Sequence, residues 1–475
     1  MNTCLPSPPA LWLTAWLTCG AFAWQPGAAQ APPGTPGEEA LSEIPLEALP
    51  LPSYAPPPGD SRLDQRLLAE AALRDGNALD ALAATGRWLE LLRLDGDPGE
   101  DELAQALALQ AAAQRQLGQL DAAIDTHLQL LDEVERVHGR FSAPLVEPMV
   151  SLGQAFNAAG RYPEALVVGD QARYLARRNH GLFGLEQAAG MLVMSDAHGG
   201  LGERAEAREL REQALALAER KYGPESPALL SHLDTMADWY AGSGLTLRER
   251  RTRERMLALL QAHHPEAPER QTETLRAIAR SWQSEVPAAL RHSMDRRSAV
   301  QLARLSPAAS AGARPSREAL QRAQAVLDTQ ENPSAAEQAR MYIAWGDWHM
   351  IFDREATSAL ENYREAWRLL EEEPELRESL LGRPTSLYFV PPPSPVQAAS
   401  GNVRRGSVTL GFTVDSQGRA SDIVLESPSP EGTMDDATIR QLENTGRYRP
   451  RFQAGEPVAT PGARLTQVFR YRPAQ

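Results

Sequence analysis

The chain has 475 residues, too many for one ordinary domain and enough for two or three. Hydrophobic residues make up 42% and aromatic ones 6%, with alanine and leucine in long stretches, which suits packed helices better than a β-sandwich. A formal net charge of −14 excludes a general nucleic-acid binder, because attraction to phosphate needs a basic face.

Residues 10–24, ALWLTAWLTCGAFAW, are apolar and uncharged. They fall short of the ~20 residues a membrane-spanning helix needs and fit the apolar region of a secretory signal. Gly27, Ala28 and Ala29 place a cleavage before Gln30, so residues 1–29 are expected to be a signal peptide, although residues 2–9 hold no Lys or Arg. The alternative is an uncleaved anchor in the inner membrane. Trp16-Leu17-Thr18 before Cys19 departs from a lipoprotein signal. Cys4 and Cys19 are the only cysteines. Cleavage removes both, and with them disulfides, thiol catalysis and thiolate metal sites. Residues 30–60 carry nine prolines among Glu38, Glu39, Glu43 and Glu47. They read as an extended linker, or else as a ligand for a proline-binding partner.

From residue 61 the sequence repeats. Gly76, Gly118, Gly160, Gly202 and Gly244 are spaced by 42 residues. Ala69, Ala111, Gly153, Ser195 and Ala237 keep the same register, as do Ala81, Ala123, Ala165 and Ala207 before Glu249 breaks the series. Gly139, Gly181 and Gly223 fall between repeats, and Pro265 takes the next slot. The period predicts helical hairpins whose glycines turn the chain back and whose small residues let helices approach, stacked so that they share one core. In the copy at 151–176, Leu152, Gly153, Phe156, Gly160, Tyr162 and Ala165 resemble the tetratricopeptide signature. The 42-residue period, with KYGPESP at 221–227, is similar to the repeats of kinesin light chain. This array spans 61–265.

Residues 266–382 read as further, degenerate helical repeats. Leu275, Ile278, Trp282, Leu290, Val300 and Leu302 are apolar anchors, 306–316 is a loop by composition, and helix returns over 317–373. There Gly346 takes the small position, Ala359 the later alanine, and Glu371-Glu372-Glu373 a solvated helix end. Proline then clusters around 388–396, and 383–403 is expected to be a second linker.

Beyond it, in 404–475, the period changes from helical to alternating. Val408, Leu410, Phe412 and Val414 share one face of a strand. Asp415-Ser416-Gln417-Gly418 is a turn, and 419–427 is the returning strand. Thr433 is a candidate cap for a helix over 433–446 anchored by Met434, Ala437, Ile439 and Leu442. In the last strand, 464–471, Leu465, Gln467, Phe469 and Tyr471 lie on one face and Val468 on the other. Gly406, Val408, Phe412, Val414, Gly418, Ser427, Asp435, Tyr448, Pro450 and Gly455 resemble the pattern of the TonB C-terminal domain. The expected fold is therefore mainly α: a tetratricopeptide-like α-solenoid followed by a small α+β, strand-strand-helix-strand domain resembling that of TonB. Two departures stand out: the apolar N-terminal segment is short and has no histidine, and several hundred residues of helix replace a simple spacer.

The chemistry of an enzyme is not visible. None of the nine histidines forms an H-E-x-x-H pair. His138 and His180, before repeat glycines, read as helix-end caps, and adjacent residues such as His263 and His264 point apart on a helix. Gly242-Ser243-Gly244 lacks the strand before it that a nucleophile elbow requires. No phosphate-cradling loop is present, and Lys221 is the single lysine among 48 basic residues. That arginine bias reads as a coding habit rather than a binding device. Trp239, Tyr240, Trp345 and Trp348 pack a core or line a peptide groove. No cofactor, metal, nucleic acid or small-molecule substrate is expected.

The TonB resemblance implies a two-membrane bacterium, and so a periplasmic, non-enzymatic scaffold for proteins or peptides, with an outer-membrane protein among the candidate partners. The alternatives are a membrane-anchored, TonB-like energy transducer and a cell-envelope hydrolase. The final strand has no successor, so it is expected at a sheet edge where an extended peptide could add. Arg464, Leu465, Gln467, Phe469 and Tyr471 are the candidate partner-binding residues. Alternatively, Arg464, Arg470 and Arg472 only guard that edge against aggregation.

Overall fold

The structure is a computed structural model that describes residues 61–95, 101–292, 312–353, 356–395 and 403–472, with side chains up to Gln283 in the second range. The expected signal peptide, the proline-rich segment 30–60, the side chains of Leu290, Val300 and Leu302, and residues 396–402 lie outside what is described.

Helices pair along the chain as the period requires. α1 (Arg62–Arg74) packs on α2 (Ala78–Asp95), α3 (Glu102–Gln116) on α4 (Leu120–His138), and α5 (Val146–Ala158) on α6 (Tyr162–His180). Next, α7 (Gln187–Leu201) packs on α8 (Arg204–Tyr222) and α9 (Leu230–Gly242) on α10 (Thr246–His263). The same turn closes each pair. Gly76, Gly118, Gly160, Gly202 and Gly244 have φ between 70° and 83°, where a side chain is strained. In the third hairpin the Arg161 amide donates to the Phe156 carbonyl at 2.8 Å and the Gly160 amide to that of Asn157 at 3.0 Å, a Schellman closure. Asn77, Gln119, Glu203 and Leu245 repeat the longer bond.

The small residues set the helix spacing, and some of them act between hairpins as well as within one. A Cβ on Gly153 in α5 would lie 2.5 Å from Val193 Cγ1 in α7, and one on Gly190 would lie 2.7 Å from the Gly169 carbonyl oxygen. Ser195, at the small position of its repeat, satisfies its buried hydroxyl by donating to the Ala207 carbonyl at 2.8 Å. Gly153→Leu should therefore wedge α5 from α7 and cost about 1–3 kcal/mol. Gly160→Val meets open space and should cost only about 1 kcal/mol, through backbone strain. Thermal melts that rank the two the other way would contradict this packing.

Glu249 breaks the alanine series because the array changes its chemistry there. Glu249, Arg250 and Arg253 are all buried. Arg253 donates to Glu249 at 3.2 Å and to Asp238 at 2.6 Å, while the Arg250 guanidinium stacks on the Trp282 ring. A buried polar network has replaced small-residue packing, so the glycine register fades.

Another buried titratable group, His127, is 4% exposed, and its Nδ1 finds no partner among the described residues. Burial, with the Arg115 charge, pulls its pKa from 6.5 to about 4. Because the folded value is the depressed one, its stabilisation is fully present above pH 6.5 and is lost as pH falls toward 4. That loss is on the order of 3 kcal/mol. His127→Leu should remove this acid sensitivity, so its melting temperature should gain on that of the parent across that interval.

The later helices are α11 (Pro268–His292), α12 (Ala313–Asp328), α13 (Ala335–Trp348), α14 (Ala356–Leu369) and α15 (Pro374–Leu381). Leu275 and Ile278 are buried as expected, with Trp282 packed beside them. The loop read over 306–316 ends sooner, at Ala313. Pro315 sits in the first turn of α12, where a missing amide leaves no helical bond unmade. Gly346 and Ala359 take the places expected of them: a Cβ on Gly346 would collide with Tyr363, and Ala359 is buried.

The segment read as a second linker opens with a strand. β1 (Thr385–Tyr388) pairs antiparallel with β4 (Arg447–Arg449), and Tyr388 and Val390 are buried in the core that holds Leu320, Trp348 and Phe352. The prolines that follow this strand concealed it. β2 (Arg404–Val414) is the central strand of a three-stranded antiparallel sheet, between β3 (Ala420–Ser429) and β7 (Thr460–Tyr471). α16 (Asp435–Thr445) covers it, and β5 (Arg451–Gln453) with β6 (Glu456–Val458) forms a small hairpin. Val408, Leu410, Phe412 and Val414 alternate into a core with Met434, Leu442, Tyr448 and Phe469. Thr433 does not cap α16. Asp435 instead accepts from the Gly432 amide at 2.7 Å, holding the chain at the helix start.

This small domain is fixed to the last helical hairpin. Arg449 donates to both carboxylate oxygens of Asp347, at 3.0 and 2.7 Å, and to the Leu380 carbonyl at 2.9 Å. Tyr363 donates to the same aspartate at 2.8 Å. Burial and Asp347 push the Tyr363 hydroxyl well above its usual pKa. For Arg449, burial opposes the charge, but Asp347 and Tyr363 outweigh it and raise the pKa. Phe452 packs against Tyr363 and Trp367 beside this pair.

Candidate functional site

The sequence places Leu465, Gln467, Phe469 and Tyr471 on one face of β7, and the structure agrees. Phe469 is buried, the other three are half-buried, and Val468 on the opposite face is 57% exposed. β7 is an edge strand, paired on one side with β2 through Val408 opposite Gln467 and Gly406 opposite Phe469. Its other side faces away from the sheet.

Which amides face that side follows from the pairing. The Arg470 amide reaches out of the sheet to Ser394 Oγ at 3.4 Å. Amides alternate along a strand, and this stretch of the register has no bulge. Thr466 and Val468 therefore also point outward, whereas Gln467 and Phe469 point toward β2. Pro428, opposite Val408 on the far side of β2, fits this phase: its position carries no ladder donor. The outward carbonyl of Val468 is taken by the Gln467 side chain at 2.7 Å. The open part of the edge is thus centred on Thr466 and Val468. Ser394 occupies the neighbouring position at Arg470.

The two edges of the sheet differ. β3 presents Pro428 outward and bends at Asp422, whose φ is 50°; both features discourage an added strand. β7 has no proline between Ala463 and Tyr471. Arg464 is exposed and pairs with Glu426 at 3.0 Å, so its charge is drawn back over the sheet rather than across the free edge. The sequence missed both Ser394 and the phase of the amides, since neither has a signal short of the pairing itself.

Among the described residues no group of three or more His, Cys, Asp or Glu is placed to hold a metal ion. His138 does not cap its helix end: its Nε2 lies 2.8 Å from Asp101, and the Gly139 amide makes the helix-end bond. His264 contacts Glu266 at 3.1 Å. Tyr240 and Trp348 are buried, and Trp239 and Trp345 are half-buried, as core packing requires. Among the described residues no helix is long and apolar enough to cross a membrane.

The fold defines a class: a tetratricopeptide-like array of helical hairpins carrying a small α+β domain of TonB C-terminal topology. The family described as Gram-negative bacterial TonB protein C-terminal matches residues 395–471, which takes in β2 to β7. No curated protein matches the chain. Among solved structures, BtubC (BKLC) from P. vanneervenii is 14% identical with a TM-score of 0.37, over 57% of this chain and 94% of that one. A Podosopora anserina kinesin light chain structure of nearly identical TPR-like repeats is 19% identical with a TM-score of 0.36, over 50% and 100% of the two chains. The apo quorum sensor NprR from B. thuringiensis is 10% identical with a TM-score of 0.35, over 67% and 86%.

Proposed function

We propose that the chain is a periplasmic, non-enzymatic scaffold for proteins, in which the outer edge of β7 takes an extended peptide as an added strand and the helical array takes a second protein surface. The observation that carries this reading is the asymmetry of the sheet. One edge is blunted by proline and a bend, and the other offers outward amides at Thr466 and Val468 within the segment that matches the TonB C-terminal family. Backbone pairing supplies affinity in such a mode, and side chains at alternate positions supply selectivity. An outer-membrane protein with an extended periplasmic segment is the partner this chemistry suits.

A photo-crosslinking side chain at Val468 tests the reading in intact cell envelopes, with Val424 on β3 as the control, since both are exposed. The proposal expects a defined adduct from position 468 and none from 424. Equal labelling from both, or none from either, would remove β7 as the recognition edge.

A further inference from the structure

A cavity of about 260 Å³ lies between α11, α12, α13, α15 and β4. Four arginines line it, Arg276, Arg280, Arg340 and Arg449, against two carboxylates, Glu273 and Asp347. Arg449 and Asp347 neutralise each other through their two-point bond. Arg276 and Arg340 remain on the lining beside Glu273 and Arg280.

Arg276 is the telling residue. It is 9% exposed, yet its Nε makes only a long bond of 3.4 Å to the Thr272 carbonyl of its own helix. No carboxylate among the described residues lies within ion-pair distance of it, although Glu273 and Glu337 attract it from farther off. Burial, with the neighbouring Arg280 and Arg340 charges, lowers its pKa to about 10. A buried cation without a partner is costly, and Arg280 one helical turn away adds repulsion. Folding gains nothing from such a group. A ligand that brings negative charge gains a great deal.

We propose that this cavity binds a small oxoanion, a phosphate or a dicarboxylate, held by the guanidinium groups of Arg276 and Arg340 with Arg280 at the rim. Guanidinium groups present paired N–H donors in the plane that carboxylate and phosphate oxygens match. The volume admits an ion of that size but is below that of a typical drug-sized site, which makes a free small anion the fitting occupant. The overall charge of −14 disfavours casual anion binding elsewhere on the surface. Because Arg449 of β4 lines the same cavity, the bound anion would touch both the helical array and the C-terminal domain. The inference does not depend on how β7 is used.

Calorimetric titration of the full chain with inorganic phosphate and, separately, with succinate tests it at low ionic strength. One of the two should bind with a stoichiometry of one, and which one identifies the oxoanion. Arg276→Gln and Arg340→Gln should each weaken that binding at least about tenfold, whereas Arg251→Gln, on an exposed helix face, should not. Without anion, Arg276→Gln should melt no lower than the parent, because it removes an unpaired buried charge. A merely structural arginine would give the opposite result. Failure of both anions to bind the parent, or binding that both cavity variants leave intact, would overturn the proposal. Arg340 is only half-buried, so its variant keeps the test decisive should Arg276→Gln fail to fold.

Discussion

Asp347→Ala is expected to destabilise the chain by about 3–5 kcal/mol, since it strands a buried guanidinium and a buried phenol at once. Asp347 is 8% exposed and Arg449 is 9% exposed, so neither partner left behind can turn to water without opening the packing. Arg449 would retain the Leu380 carbonyl, and Tyr363 would lose the carboxylate it donates to. Replacing both members of the pair, as Asp347→Ala with Arg449→Met, should recover much of the loss, because the expense lies in the uncompensated charge rather than in missing attraction. Denaturation midpoints of the two singles and the double give the coupling directly. Strict additivity would mean that the pair does not hold the C-terminal domain to the helical hairpin.

The helical array was almost wholly legible in the sequence. Gly76 to Gly244 keep their spacing because a left-handed turn tolerates little else, and Ala81, Ala123, Ala165 and Ala207 keep theirs because a larger side chain would part the helices. The alternation from Val408 to Val414 was equally plain, for a strand buried on one face leaves a period of two. What could not be read depends on partners far apart in the chain. Arg449 and Asp347 are 102 residues apart and neither belongs to a motif. β1 lies just before a proline cluster, and its pairing with β4 leaves no local trace. At the candidate edge the sequence gives the faces of β7 but not the direction of its amides. That direction is fixed by which residue of β2 each one meets. The Gln467 amide belongs to the ladder with β2, and that of Val468 does not.

Proline substitutions on β7 separate the two directions. Proline is tolerated on an edge strand where its nitrogen faces solvent, and it disrupts a sheet where the nitrogen faces the neighbouring strand. Val468→Pro should therefore keep the circular dichroism and melting of the parent to within about 1 kcal/mol, while Gln467→Pro should be markedly less stable. At Val468 the ring removes one outward donor and projects into the space that an added strand must occupy. The measurement that bears most directly on the account is the affinity of folded Val468→Pro for the partner crosslinked through position 468. It should fall ten- to a hundredfold, about 1.4–2.7 kcal/mol, with Val424→Ala, exposed on β3, binding like the parent. A folded Val468→Pro variant that binds as tightly as the parent would contradict strand addition at β7 and leave recognition to the helical array.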